Sequence, residues 1–353
     1  MTSRSAPIHV EPGYLLYERD GRVMAQRFDS GRLALVGDAV AVADAPERSD
    51  LDAEPVASAS RNGRLAVLRS SPPDTRLELI DRSAATLARY DLPPGPWAVR
   101  GATRDGRRAA VLNGRDIWIV DLERSVPMRF ASTTASAPSV VWAPAGDRLA
   151  FVTGESGREE IHLAGLDGKA ERVPTTEHAF KVVLDWSPDG RYIVYIGLDP
   201  ATGWDLWLLP LEGEREAVPY LLGPAYEGDA RVSPDGRWLA YTSTETGKPE
   251  IYVQSFPGPG HKVRVSLDGG DFPAWANGGR ELLYSRGQTR MSVPVVAGEE
   301  FRPGAPRPVF TLPSGVTGGA VLADGERFLL SRATETRPRD IEIVLDWEAL
   351  LRR

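Results

Sequence analysis

The sequence predicts an all-β fold, a β-propeller of four-stranded antiparallel blades, and three observations carry that prediction. A glycine-centred turn recurs at Gly63, Gly106, Gly146, Gly190, Gly236, Gly279 and Gly325, with spacings of 43, 40, 44, 46, 43 and 46 residues. Each turn opens onto a strand of alternating apolar residues, and a second such strand follows after a short loop. No segment has helical periodicity except the last, residues 346–353, where one short helical turn is expected. Four strands in one period of this length is the arithmetic of a propeller blade.

The elements follow in order. "GYLLYERDGRVMAQRF" (13–28) reads as a hairpin around Asp20-Gly21, and "DAVAVAD" (38–44) continues it. A short strand at 7–10 completes a first blade at 7–45. The marked turns then give blades at 55–91, 98–131, 138–176, 181–222, 229–266, 272–311 and 317–347. Their second strands read "RLELIDR" (76–82), "DIWIVDL" (116–122), "EIHLAGL" (160–166), "DLWLLPL" (205–211) and "EIYVQSF" (250–256). Eight blades is the preferred count. The last unit lacks an outer strand, so seven blades, with the ring closed by strands from both termini, is the alternative. Each blade buries its faces only against its neighbours, which makes residues 1–353 one propeller domain.

Turn chemistry explains the marker. In "WSPDGRYIVYIG" (186–197) and "VSPDGRWLAYTS" (232–243) proline presets φ, aspartate tolerates the next turn position, and glycine accepts positive φ where the chain re-enters a strand. Asp189 and Asp235 are therefore turn formers, since no further acids stand at alternate positions to make a metal loop. Trp142, Trp186 and Trp275, just before their turns, are expected as wedges between blades.

Composition bounds the function. The chain has 353 residues, 42% hydrophobic and 26% charged, with a net charge of −7 and scattered basic residues. A nucleic-acid track is not expected. The absence of cysteine removes disulfides, thiolate metal sites and a cysteine nucleophile. There is no apolar core of signal-peptide length at the start and no apolar stretch long enough for a membrane span. As written the chain is expected to be a cytoplasmic monomer without cofactor or metal.

"WSPDGRYIVY" and "VSPDGRWLAY" resemble TolB-type propeller repeats. The block 205–260, "DLWLLPLEGEREAVPYLLGPAYEGDARVSPDGRWLAYTSTETGKPEIYVQSFPGPG", is similar to the C-terminal propeller of bacterial membrane-anchored serine/threonine protein kinases. So are "GYLLYERDGRVMAQRFD" and "IEIVLDWEALL" near the two ends. The resemblance implies a sensing or docking module, extracytoplasmic if the chain is a fragment of such a kinase. No kinase glycine loop or His-Arg-Asp motif is present, and "GESG" (154–157) lacks the spacing of a serine-hydrolase elbow.

In a propeller, loops leading into innermost strands and loops joining the two central strands converge at one channel mouth. The first set nominates His178, Phe180, Tyr226, Glu227, Asp229, Asp271 and Phe272, and the second Glu155, Arg158, Asp199, Trp204, Glu245 and Lys248. Trp204 and Tyr226 are expected to be exposed aromatic anchors. The expected function is a non-catalytic scaffold binding a protein or peptide at this mouth. The alternative is a propeller hydrolase or lyase, possibly metal-assisted, with His178, Asp229 and Asp271 as the reactive groups.

Overall fold

The repeated turn is built by its own side chains. Ser187 Oγ donates to Asp189 Oδ1 (2.6 Å) and accepts the Tyr192 N–H (2.9 Å), while Asp189 accepts the Arg191 N–H (3.0 Å). Gly190 closes the turn at φ 78°, its N–H bonded to the Ser187 carbonyl at 2.9 Å. Ser233, Asp235 and Gly236 repeat the arrangement, as do Thr103, Asp105 and Gly106. Serine or threonine at the first position and aspartate at the third together replace the backbone bonds that the reversing chain gives up.

The computed structural model describes residues 7–11, 13–19, 22–44, 57–60, 64–69, 73–135, 139–154, 157–175, 180–199, 201–213, 215–298, 300–334 and 340–352. The turns expected at Asp20-Gly21 and Gly63 lie outside the described residues. The described chain is all-β, with strands gathered into eight antiparallel sheets and helix confined to two short 3-10 segments. One of these, Trp347–Arg352, is the terminal helical turn that the sequence announces.

Contacts divide the chain into two compact units, Asp74–Glu335 and the pair Met1–Pro73 with Thr336–Arg353. The larger unit holds six sheets. Five are built from consecutive strands, starting at Trp97–Ala102, Val140–Trp142, Lys181–Trp186, Glu227–Val232 and Asp271–Ala276. The sixth joins Val316–Val321 and Arg327–Ala333 to Thr75–Asp81 and Thr86–Tyr90. Apolar side chains alternate between the two faces of each sheet: Ile193 and Tyr195 pack toward the 140–173 sheet, Val194 and Ile196 toward the 227–264 sheet. Both faces are buried, which is why these strands read as nearly continuous apolar runs. Six such clusters link the six sheets in cyclic order, the last of them joining Leu77 and Leu329 to Trp97 and Val111. Trp186 lies inside its cluster at 3% exposure, and Trp142 and Trp275 pack against theirs.

The sheet count equals the number of units read from the sequence, but two boundaries differ. Residues 55–91 and 317–347 do not each make a sheet. Thr75–Asp81 pairs with Arg327–Ala333, whereas Arg64–Arg69 pairs with Asp340–Leu345. The first exchange closes the cycle of the larger unit by joining strands from opposite ends of its sequence, which removes an open edge. The smaller unit contains the sheet from Ile8–Val10 to Ala34–Asp44 and a three-stranded sheet of Ala57–Ala59, Arg64–Arg69 and Asp340–Leu345. Its core packs Leu16, Val23, Leu65 and Val67 around Trp347.

Candidate functional site

Backbone bonds place the loops of the larger unit's mouth. In three of the sheets the end of the second strand is bonded to the segment that enters the first: Leu198 N–H to Phe180 O (3.1 Å), Thr244 N–H to Tyr226 O (3.1 Å), Ala333 N–H to Gly315 O (2.8 Å). Both loop sets therefore share one end of the ring.

Where two neighbouring innermost strands reach this end, they bulge. The pairing of Glu227–Val232 with Trp238–Ser243 slips between Gly228 and Arg231, and that of Asp271–Ala276 slips between Asp271 and Ala274. The bulge residues Asp229 and Phe272 sit at φ 53° and 51°, a region costly for side chains other than glycine. Bulges re-aim side chains. Here they gather Asp229, Asp271, Phe272 and Tyr226 at neighbouring points of two adjacent sheets, together with Thr242 and Arg290.

The polar bonding of this group is incomplete. Asp229 accepts the Thr242 hydroxyl (3.0 Å) and the Phe272 N–H. Burial nonetheless pushes its carboxyl above the usual range. At Asp271 burial, then the charge of Asp229, push the carboxyl up to about 6 against the pull of Arg290. Its Oδ1 is buried and has no hydrogen-bond partner among the described residues. Arg290 donates from Nη1 to the Phe272 carbonyl at 3.3 Å, and burial lowers its own affinity for a proton. Phe272 is 55% exposed.

The other sequence candidates take different places. His178 and Glu155 lie outside the described residues. Tyr226 is not an exposed anchor: its ring folds back over Gly228, where a Cβ would come within 2.1 Å of the hydroxyl, and burial raises its pKa. Trp204 packs against the apolar cluster between the 181–221 and 227–264 sheets instead of projecting from the mouth. Both rings are amphipathic and find apolar surface within reach, so they cover it. Glu227 is 7% exposed and accepts the Ser243 hydroxyl at 3.3 Å, with burial raising its pKa. Asp199 bonds the Ala201 N–H (2.7 Å) and Thr202 N–H (3.3 Å), as a turn former does. Phe180 is half-buried, Arg158 is exposed, and Lys248 is exposed with Glu250 at 3.3 Å. Exposed Glu245 pairs with Lys262.

Sequence reasoning missed Arg290 and Thr242. Neither lies in a mouth loop by pattern: Arg290 is the second residue of Thr289–Ala297 and Thr242 lies near the end of Trp238–Ser243. Their neighbours Asp229 and Phe272 both stand seven residues before a marker glycine, but the repeat itself carries no sign of the bulge there.

No family model matches the chain. It is 25% identical over 273 residues, 72% of its length, to the Tricorn protease homolog 1 of Streptomyces coelicolor, of which it covers 25%. It is 27% identical over 156 residues, 44% of its length, to the Tol-Pal system protein TolB of Bordetella pertussis, of which it covers 33%. The chain thus spans less than half the length of the curated relatives it matches. Among solved structures, a TolB-type protein of Agrobacterium tumefaciens superposes with a TM-score of 0.59 at 18% identity, covering 75% of this chain and all of that one. The fold is a TolB-like β-propeller. No helix among the described residues is long and apolar enough to cross a membrane.

Proposed function

We propose that this chain is a non-catalytic scaffold that binds a protein or peptide segment at the mouth of residues 74–335, against Phe272 and the Asp229–Asp271 pair. The observation that carries the reading is Phe272. A large aromatic side chain is held 55% exposed at the mouth by a backbone conformation costing on the order of 1–3 kcal/mol. An exposed aromatic ring on a rigid scaffold is the kind of group that anchors interfaces. The likeness of residues 205–260 to kinase-associated propellers and the relation to a Tol-Pal system protein support a docking or sensing role. Peptides selected from a displayed random library on the immobilised full chain would be titrated by fluorescence anisotropy. Phe272→Ala should weaken them by about tenfold or more, as expected for an interface anchor. Peptides that bind the variant as tightly as the wild type would sink the reading.

A second reading rests on the carboxylate pair. Two adjacent acids with raised pKa values, one near 6, meet the requirement for a general acid in a hydrolase or lyase. Turnover of an ester, lactone or peptide that Asp271→Asn abolishes would establish it, and turnover that survives the change would remove Asp271 from any such role.

A further inference from the structure

The closing sheet carries a group of charges that the mouth reading does not use. On Thr75–Asp81, Arg76 and Glu78 share one face. The cross-strand partner of Arg76 is Arg332, and the partner of Glu78 on the outer side is Arg89. Glu78 is fully buried, at 0% exposure. Its Oε1 accepts Arg76 Nε at 2.6 Å and faces Arg89 Nε at 3.5 Å, while its Oε2 accepts Arg332 Nη1 at 3.3 Å. Arg332 is further fixed by Nε donating to the Ser314 carbonyl at 3.1 Å. Three guanidinium groups thus converge on one carboxylate.

Such a placement costs the sheet stability. Like charges directly opposite on neighbouring strands repel, and Arg76 faces Arg332. Glu78 supplies one negative charge to three positive ones. The three arginine side chains are 42%, 61% and 30% exposed, so they reach solvent beyond the donors engaged by Glu78 and Ser314. Guanidinium groups offer paired N–H donors that match the oxygens of phosphate, and their charge cannot be titrated away. Glu78 acts here as a buried post that orients the arginines and leaves an excess of positive charge outward.

We propose that Arg76, Arg89 and Arg332 form a binding site for a tetrahedral phosphate-type oxyanion. The anion would bridge Arg332, Arg76 and Arg89, one from each of three adjacent strands, and so staple the seam at which the two ends of residues 74–335 meet. Binding and ring stability are therefore linked, since a ligand that binds only the folded state raises its melting temperature.

The test uses the full chain. Inorganic phosphate and a short phosphoserine peptide are titrated by calorimetry and by thermal melting at ionic strength matched with sodium chloride, with the unphosphorylated peptide as control. Saturable binding and a rise in Tm are expected for inorganic phosphate if the anion is free, and tighter binding of the phosphopeptide if it is carried by a partner. Arg89→Gln, at the most exposed of the three positions, leaves the fold in place and should weaken phosphate by about tenfold, the worth of a hydrogen bond to a charged group. Glu78→Gln should melt lower than wild type in chloride and recover more in phosphate than wild type gains. Absence of saturable binding by either phosphate probe at millimolar concentration overturns the proposal, as does binding that Arg89→Gln leaves unchanged.

Discussion

Gly325 and Gly190 occupy the same position of the repeated turn, at φ 70° and 78°, yet alanine should not cost the same at each. Both substitutions incur the backbone penalty of a left-handed alanine, about 1–2 kcal/mol. At Gly190 nothing lies within 4 Å of the new Cβ, so the cost ends there. At Gly325 the Cβ would fall 2.5 Å from the Ala276 Cβ and 3.4 Å from the Ala276 Cα. Both neighbouring atoms are fixed in position, and Ala276 is 1% exposed inside the cluster of Leu283, Phe310 and Phe328. Relief requires the closing sheet and the 271–311 sheet to move apart, an overpacking cost of about 1–3 kcal/mol. Gly325→Ala should therefore lose about 2–5 kcal/mol in total, against about 1–2 kcal/mol for Gly190→Ala. Urea unfolding at a common m-value resolves the difference as a lower midpoint. Equal midpoints would refute the claim that the Gly325 turn is wedged against the neighbouring sheet.

Three further outcomes follow from buried groups. Asp271 has a folded pKa of about 6 against an ordinary 3.8, so the folded state holds its proton more tightly. Its contribution to stability is present below the ordinary value and is lost as pH rises through about 6. Asp271→Asn should flatten that part of the pH–stability curve and be the more stable protein near neutrality; parallel curves for the two proteins would contradict the shift. Trp347→Ala removes a fully buried ring that packs edge-on at 5.8 Å from Tyr14 and should cost about 3–5 kcal/mol, read as lost amide protection in Tyr14–Arg19. Arg82 binds both oxygens of Glu281, at 2.9 and 2.5 Å, so Arg82→Met should cost about 1–3 kcal/mol, with Glu281→Gln in the same chain restoring part of it. A melting curve of Arg82→Met that coincides with wild type would dismiss the pair as structural.

The architecture was legible because it is written in local chemistry. Seven marker glycines announce themselves by spacing, and in the Ser187–Gly190 and Ser233–Gly236 turns serine, aspartate and glycine each make a bond within five residues. Alternation in Ile193–Ile196 declares that both faces of a strand are covered. Strand exchange at the closure was illegible for the opposite reason: Arg64–Arg69 and Thr75–Asp81 are neighbours in sequence, and only long-range register assigns them to different sheets. The mouth was legible as a set of loops but not as a set of exposed groups. Whether Trp204 and Tyr226 project or fold back depends on apolar surface supplied by the neighbouring sheet or by Gly228, which no pattern encodes. Bulges at Asp229 and Phe272 are equally silent, since one unpaired residue leaves the repeat length intact.

The acidic residues that lead the third strands sharpen what is distinctive about Asp229 and Asp271. Asp116 accepts the Ser132 hydroxyl and Arg129 at 2.9 Å; Asp205 accepts the Thr202 hydroxyl and the Gly223 N–H at 3.0 Å; Glu250 accepts the Ser266 hydroxyl. Each acid thereby ties the start of one strand to the segment that leaves the fourth strand of the same sheet, fixing the loops that frame the mouth. Hydrogen bonds to a carboxylate favour its ionised form, and Asp116 and Glu250 are held below the usual range accordingly. Asp229 and Asp271 run the other way. They sit on innermost strands instead of third strands, their carboxyls are raised, and one oxygen of Asp271 is buried without a partner among the described residues. A carboxylate deprived of both water and donors is destabilised in proportion to what it lacks, and a cationic or hydrogen-donating group brought by a ligand would supply it. Anchoring acids explain how the mouth keeps its shape. In the proposed docking at this mouth, Asp271, set beside the exposed Phe272, is the group that a partner would complete.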